Sequence, residues 1–202
     1  MLCGEEWEAS VLVEKVLADR EFFISSGGGV TLSGGECLAQ PAFATELAEL
    51  FYEEGISVDI DTCGFVSFDV FERIIPYTDE FLYDIKAIDP EVHKLCTGRD
   101  NAIILGNLRR LDSLGCKVEI RYPYVVGYND GECEKIGAFL SGLSNIKRIK
   151  VLGYHGFASS KYDALGRKNT LPDIAVTRDD VQKAVELLCS FGLSAINGMD
   201  GD

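Results

Sequence analysis

The stretch Gly27-Gly28-Gly29-Val30-Thr31-Leu32-Ser33-Gly34-Gly35-Glu36 sets a short β-branched run directly before a loop of bare backbone that ends in a carboxylate. The β-branched residues predict a strand at residues 30–33. Gly34 and Gly35 let backbone N–H and C=O groups approach a ligand without side chains in the way, and Glu36 adds one fixed charge beside them. For this segment taken alone, a plain strand-to-loop turn is the alternative to a ligand loop. The residues at the other strand ends are needed to distinguish the two.

Apolar stripes at helical spacing alternate with short apolar runs along the rest of the chain. Asp89-Pro90 and Thr177 carry the residue types that begin helices. This alternation predicts an α/β fold in which parallel strands are joined by helices, a TIM-like (β/α) barrel, as one domain over residues 1–202. The predicted strands are residues 30–33, 56–61, 81–86, 117–124 and 146–152.

Composition excludes several classes of partner and site. The chain has 202 residues and a formal net charge of −14, so it lacks the basic surface that nucleic-acid binding needs. It contains neither an apolar run of about 18 residues nor a secretion signal, which predicts a cytoplasmic protein without a membrane span. The seven cysteines include no C-x-x-C pair, so reduced thiols and no metal knuckle are expected.

Each predicted strand is followed by polar groups that a hydrophobic core would not select. In a β/α barrel the carboxyl ends of the strands meet on one face, where the active site lies. The sequence therefore predicts a single ligand site at that face. After the Gly34-Gly35-Glu36 loop of the first strand, the residues concerned are Asp61 and Thr62, Asp84 and Lys86, Arg121, and His155.

Several segments, in this order, resemble the radical S-adenosylmethionine (SAM) activating enzymes of glycyl radical enzymes, the pyruvate formate-lyase activating enzyme group. The resemblance covers nearly the whole chain. The matching segments are S-G-G-G-V-T-L-S-G-G-E (26–36), D-T-x-G (61–64), D-I-K-x-x-D-P-x-x-H-K-x-x-T-G (84–98), N-L-R-R-L (107–111), I-R-Y-P with G-Y-N-D (120–130), and Y-H with S-K-Y-x-x-L-G-R (154–167).

The resemblance implies that the methionine end of SAM lies against the first two strand ends. Gly34, Gly35 and Glu36 would hold its amino group, because carbonyl and carboxylate oxygens suit an ammonium. Asp61 and Thr62 would lie near its carboxylate, with a bound monovalent cation as one way of balancing the charge.

The remaining roles follow from the same resemblance. Lys86 would pair with the methionine carboxylate, and Asp84 would accept hydrogen bonds from the ribose hydroxyls. Arg121 would help to enclose the adenine, and His155 would lie close to the ribose or the adenine. Thr97 and the loop after it lie where the family receives its protein partner.

The resemblance also implies an activity and its partners. The family cleaves SAM reductively with a 4Fe-4S cluster, and the resulting 5′-deoxyadenosyl radical removes a hydrogen atom from a glycine of a partner such as pyruvate formate-lyase. The cofactor carries the chemistry, while the protein orients it and excludes water. A flavodoxin or ferredoxin is the expected electron donor.

The chain departs from the family in lacking the C-x-x-x-C-x-x-C loop that binds the cluster, since only Cys3 precedes the first helix. We therefore expect a truncated relative, a partial barrel without its first strand and inactive alone. Such a barrel leaves an edge of the strand at residues 30–33 unpaired, which favours self-association. Two alternatives stay open: a non-catalytic SAM- or partner-binding module without a cluster, and a lyase that uses Lys86 as a Schiff-base amine.

Overall fold

The computed structural model describes residues 5–155, 166 and 174–200. Six strands form one parallel sheet in chain order: β1 (Gly29–Leu32), β2 (Ser57–Thr62), β3 (Glu80–Asp84), β4 (Val118–Tyr124), β5 (Ile146–Gly153) and β6 (Ala195–Asn197). The α-helices are α1 (Ala9–Val16), α2 (Arg20–Ser26), α3 (Pro41–Glu53), α4 (Phe68–Ile74), α5 (Pro90–Thr97), α6 (Ala102–Ser113), α7 (Cys133–Leu140) and α8 (Arg178–Ser190).

The sheet confirms the predicted α/β partial barrel. Within the described residues it is open, with β1 at one edge and β6 at the other. All five predicted strands are present, and β6 is an addition that pairs with β5. None of the helices in the described part of the chain combines the length and the hydropathy that crossing a bilayer requires.

Local signals set the helix ends as the sequence predicts. The Asp89 side chain accepts hydrogen bonds from the Glu91 and Val92 amides at the start of α5, and Pro90 occupies the first turn. Gly98 ends the same helix in the left-handed region at φ +75°. Thr177 and Asp180 form a capping box at the start of α8. The predicted motif at residues 160–167 lies, apart from Gly166, outside the described residues.

The two faces of the sheet differ in polarity. Alternate residues such as Val58 and Ile60 of β2 are completely buried in the apolar core shared with the helices. The residues between them on the strands point to the opposite face, which is charged, as with Asp61, Glu119 and Arg121. A closed β/α barrel fills this inner face with branched apolar side chains. Here the face is polar, which suits binding of a charged ligand.

Candidate functional site

A cavity of about 370 Å³ lies at the carboxyl ends of β1, β2 and β3. This volume falls within the range of small-molecule and cofactor sites, about 300–1,000 Å³. Six of the site residues predicted from the sequence line it. The lining consists of Gly34, Gly35, Asp61, Thr62, Cys63, Phe65, Asp84, Lys86, His93, Thr97, Arg99 and Ile104.

The glycine loop after β1 leaves room for a ligand against its backbone. A Cβ atom added to Gly34 or Gly35 would meet no atom within 4 Å, and Gly34 has a φ of +141° that side chains rarely adopt. The space beside these two residues is therefore open, and their backbone polar groups can be reached directly. This geometry agrees with a ligand loop rather than a turn buried in the core.

The Glu36 side chain binds its own protein rather than lining the cavity. Its Oε1 accepts hydrogen bonds from the Leu38 amide at 3.0 Å and from Thr62 Oγ1 at 2.8 Å. Its Oε2 accepts a hydrogen bond from the Cys63 amide at 2.8 Å. Glu36 therefore ties the glycine loop of β1 to the end of β2, a structural function that sequence reasoning missed.

Asp61 is partnered by one side chain from the loop after β1 and one from β4. Its Oδ2 accepts a hydrogen bond from Ser33 Oγ at 2.9 Å and lies 3.3 Å from Nη1 of Arg121. The Arg121 Nε is also 3.8 Å from a carboxylate oxygen of the buried Glu119, which in turn pairs with Arg148. The guanidinium of Arg121 therefore balances the negative charge of Asp61, and Arg121 itself is not one of the residues that line the cavity.

Asp84 and Lys86 form a half-buried ion pair on the wall of the cavity. The Lys86 Nζ lies 2.9 Å from Asp84 Oδ2, and the two side chains are 29% and 27% exposed. The pair therefore presents one ammonium and one carboxylate, able to bind an anion and to accept hydrogen bonds respectively. Both remain accessible to a ligand because they line the open volume.

Two buried asparagines hold the loops that carry these residues. Asn107 donates hydrogen bonds to the carbonyls of Gly64 and Val66, at 2.9 and 2.8 Å, and so fixes the loop after β2. Asn129 donates a hydrogen bond to the Lys86 carbonyl at 2.7 Å. The N-L-R-R-L and G-Y-N-D motifs contain these two residues, but the sequence alone did not indicate that they support the site.

The far side of the cavity is formed by the end of α5 and the residues after it. His93 is only 4% exposed, and its Nδ1 lies 2.8 Å from the Arg99 carbonyl oxygen. Thr97 Oγ1 donates to the His93 carbonyl at 2.8 Å and accepts from the Arg99 amide at 3.1 Å. Of these residues only Thr97 was singled out from the sequence, as part of a partner-binding loop.

The thiols beside the glycine loop are held in the protonated form. Burial, followed by the negative charges of Glu36 and Asp61, raises the pKa of Cys37 to about 12. Burial and a hydrogen bond to Glu36 raise the pKa of Cys63 to about 11. These environments disfavour the thiolate, which is the form that binds metals and attacks electrophiles.

His155 is exposed at the end of β5, outside the residues that line the cavity. Within residues 5–155 and 174–200 no group of three or more histidine, cysteine or acidic side chains is arranged to hold a metal ion. The structure therefore brings Gly34, Gly35, Asp61, Thr62, Asp84 and Lys86 together in the cavity lining, with Glu36 and Arg121 bonded to residues of that lining, while His155 is not among the lining residues.

Comparison with known proteins points to one family. Residues 5–140 match the family model of the radical SAM superfamily. The chain is 41% identical over 172 residues to the trans-4-hydroxy-L-proline dehydratase activating enzyme of Clostridioides difficile, covering 83% of this chain and 57% of that protein. It is 34% identical over 188 residues to the pyruvate formate-lyase-activating enzyme of Clostridium pasteurianum, covering 92% of this chain and 79% of that protein.

A solved structure shows the same fold. A domain of the pyruvate-formate lyase-activating enzyme from Bacteroides vulgatus superposes with a TM-score of 0.72 at 25% identity, covering 85% of this chain and 99% of that one. The chain thus spans the whole of that domain but little more than half of the Clostridioides difficile relative.

Proposed function

Because this chain belongs to the radical SAM superfamily, among the activating enzymes of glycyl radical enzymes, we propose that it binds SAM in the cavity at the carboxyl ends of β1, β2 and β3 and serves to generate a glycyl radical on a partner enzyme. The observation that carries the proposal is that six residues predicted from the sequence line one cavity of about 370 Å³. Backbone groups, a carboxylate and an ammonium on its walls are suited to a ligand with an amino acid end and a ribose.

Different residues would bind different parts of the cofactor. The open backbone of Gly34 and Gly35 would take the amino group, Lys86 the methionine carboxylate, and Asp84 the ribose hydroxyls. Glu36 would act by fixing the glycine loop, and Arg121 by orienting Asp61, with Thr62 held by Glu36. His155 would lie close to the ribose or the adenine, next to the residues that line the cavity.

The cofactor cavity fits SAM, but the described residues do not fit a 4Fe-4S cluster. The cluster is the group that cleaves SAM reductively when bound. The sequence contains no C-x-x-x-C-x-x-C motif, and no metal-binding group of side chains is found in the described part of the chain. The side chains that are present would bind and orient SAM, and none of them is assigned to the cluster.

The partners are proposed from the same family. The protein substrate would be a glycyl radical enzyme, since the relatives are named as activating enzymes of a dehydratase and of pyruvate formate-lyase. A flavodoxin or ferredoxin would supply the electron, in the cytoplasm. Within the described residues β1 pairs only with β2, so its other edge offers free backbone groups for self-association. A light-scattering mass equal to one chain at micromolar concentration would contradict self-association.

Isothermal titration calorimetry of the purified chain with SAM tests the central proposal. Lys86→Met should weaken binding about 10–100-fold, since a hydrogen bond to a charged group contributes roughly 1.5–3 kcal/mol. Lys147→Met is the matched control, because Lys147 also forms an ion pair, at 2.7 Å to Glu80, but at the opposite end of the sheet. Absence of SAM binding, or equal losses in the two variants, would refute the assignment.

A further inference from the structure

The segment that follows β3 carries Lys86 and belongs to neither a strand nor a helix until α5 begins. This Lys86 segment, residues 86–89, is held instead by three polar side chains from elsewhere in the chain, those of Asn101, Asn129 and Glu132. Each of these three residues is at most 3% exposed. Buried polar groups are costly unless they are hydrogen-bonded, so such side chains hold firmly the backbone that they contact.

Two of the three side chains fix the end of the segment that leads into α5. Asn101 Nδ2 donates hydrogen bonds to the carbonyls of Ala87 and Ile88, each at 2.9 Å. Glu132 Oε2 accepts hydrogen bonds from the amides of Ile88 and Asp89, at 2.9 and 2.8 Å. These four bonds replace the ladder bonds that a neighbouring strand would supply.

Asn129 holds Lys86 itself and joins it to the end of β4. Its Nδ2 donates hydrogen bonds to the Lys86 carbonyl at 2.7 Å and to the Pro123 carbonyl at 2.8 Å. Its Oδ1 accepts a hydrogen bond from the Val125 amide at 2.8 Å. An amide nitrogen carries two N–H donors, so both donors of this side chain are used. One buried side chain therefore fixes the backbone of Lys86 relative to β4.

The position of the Lys86 ammonium depends on this backbone. Lysine carries a compact charge on a flexible four-carbon chain, so its Nζ is placed by the backbone at one end and by a tether at the other. The tether is Asp84, whose Oδ2 lies 2.9 Å from Nζ. A ligand carboxylate that shares this ammonium with Asp84 needs Nζ in one place, which requires a fixed backbone.

We infer that Asn129 is a positioning residue for the carboxylate of the bound cofactor, and that it acts through Lys86. The inference rests on the proposed function, in which Lys86 binds the methionine carboxylate. Asn129 is not among the residues that line the cavity, whereas Lys86 is. Loss of the Asn129 amide should therefore weaken the contribution of the ligand carboxylate to binding, beyond any effect on the rest of the ligand.

Isothermal titration calorimetry with SAM and with decarboxylated SAM, which lacks the carboxylate, tests this inference on the full chain. The ratio of the Kd for decarboxylated SAM to the Kd for SAM measures what the carboxylate contributes. In the unchanged chain this ratio should be about 10–100, as expected for a hydrogen bond between charged groups. Asn129→Ala should lower the ratio about three- to tenfold, because the ammonium keeps its charge but loses its orientation. Lys86→Met should bring the ratio close to about 1.

Two comparisons separate positioning from a general loss of stability. Asn197→Ala is the matched control, because Asn197 is 7% exposed, donates to the Arg178 carbonyl at 3.2 Å and accepts from the Met199 amide at 3.0 Å, but lies on β6, three strands from β3. This substitution should lower Tm and leave the ratio unchanged. When Lys86→Met is already present, Asn129→Ala should change the ratio by less than about twofold, because the residue through which it acts is gone.

The outcomes distinguish this inference from the proposed function. Absence of SAM binding to the unchanged chain would contradict the proposed function. SAM binding with a ratio near 1 in the unchanged chain would overturn the assignment of Lys86 and the inference with it. If Lys86→Met lowers the ratio but Asn129→Ala does not, or if Asn129→Ala lowers it equally with and without Lys86, the inference alone is wrong. Asn129→Ser keeps one hydroxyl donor and replaces Asn129→Ala, with the same expectations, if thermal unfolding shows that the alanine variant does not fold.

Discussion

Replacing Glu36 by alanine should lower stability and SAM affinity together. The carboxylate accepts hydrogen bonds from the Leu38 amide, Thr62 Oγ1 and the Cys63 amide at 3.0, 2.8 and 2.8 Å. These bonds join the glycine loop of β1 to the end of β2, the two segments that form one wall of the cavity. Without these bonds, the two segments lose the carboxylate that holds them next to each other.

The magnitude follows from the number of bonds. A hydrogen bond to a charged group contributes roughly 1.5–3 kcal/mol, and Glu36 is only partly buried, so the lower end applies and the three bonds together give about 4.5 kcal/mol. For a chain of this size 1 kcal/mol shifts Tm by about 2–4 °C, so Glu36→Ala should lower Tm by roughly 9–18 °C. Glu36→Gln keeps one acceptor oxygen and loses about one bond, a decrease of roughly 3–6 °C.

Differential scanning fluorimetry with and without SAM, together with calorimetry, measures both effects. Glu54→Ala is the matched control, because Glu54 pairs with Arg20 at 2.6 Å with both side chains 43% exposed, and such a pair contributes at most about 1 kcal/mol. Equal Tm values for Glu36→Ala and Glu54→Ala would refute the structural role. Loss of SAM affinity in Glu36→Gln at unchanged Tm would instead indicate that Glu36 contacts the ammonium directly.

Two other predictions concern the loop after β2 and the thiols. Gly64→Ala should destabilise the protein by more than about 2 kcal/mol in thermal unfolding, because its Cβ would lie 1.8 Å from the Tyr83 hydroxyl at a φ of +71°. Gly106→Ala is the control, since Gly106 lies in open space within α6, and it should stabilise the protein by about 0.5–1 kcal/mol. Similar effects of the two substitutions on stability would refute the steric argument. The exposed Cys189 should react with iodoacetamide at least about tenfold faster than Cys63, because the pKa of Cys63 is raised to about 11. Alkylation at mildly alkaline pH, followed by peptide mass spectrometry, measures the two rates. Equal rates would contradict the protonated state of Cys63.

The sequence was sufficient to predict six of the residues that line the cavity, because parallel topology brings the carboxyl ends of successive strands to one edge of the sheet. Thr62 and Asp84 could therefore be placed without any contact being known. The three residues of β6 could not be predicted, since so short a run carries no periodicity and its pairing of Ala195 opposite Ile149 depends on β5 being in place. His93 lay within a recognised motif, but its contact with the Arg99 carbonyl depends on a turn at Gly98 that only the structure shows.

The ion pairs of the site could not be predicted from the sequence. In the register of the sheet Arg121 is the neighbour of Asp84, yet its guanidinium binds Asp61, which lies two strands away. Asp84 is instead paired with Lys86, two residues along its own chain. These two pairs balance the charges at the strand ends, so a cofactor carrying both an ammonium and a carboxylate can bind there without leaving a large uncompensated charge.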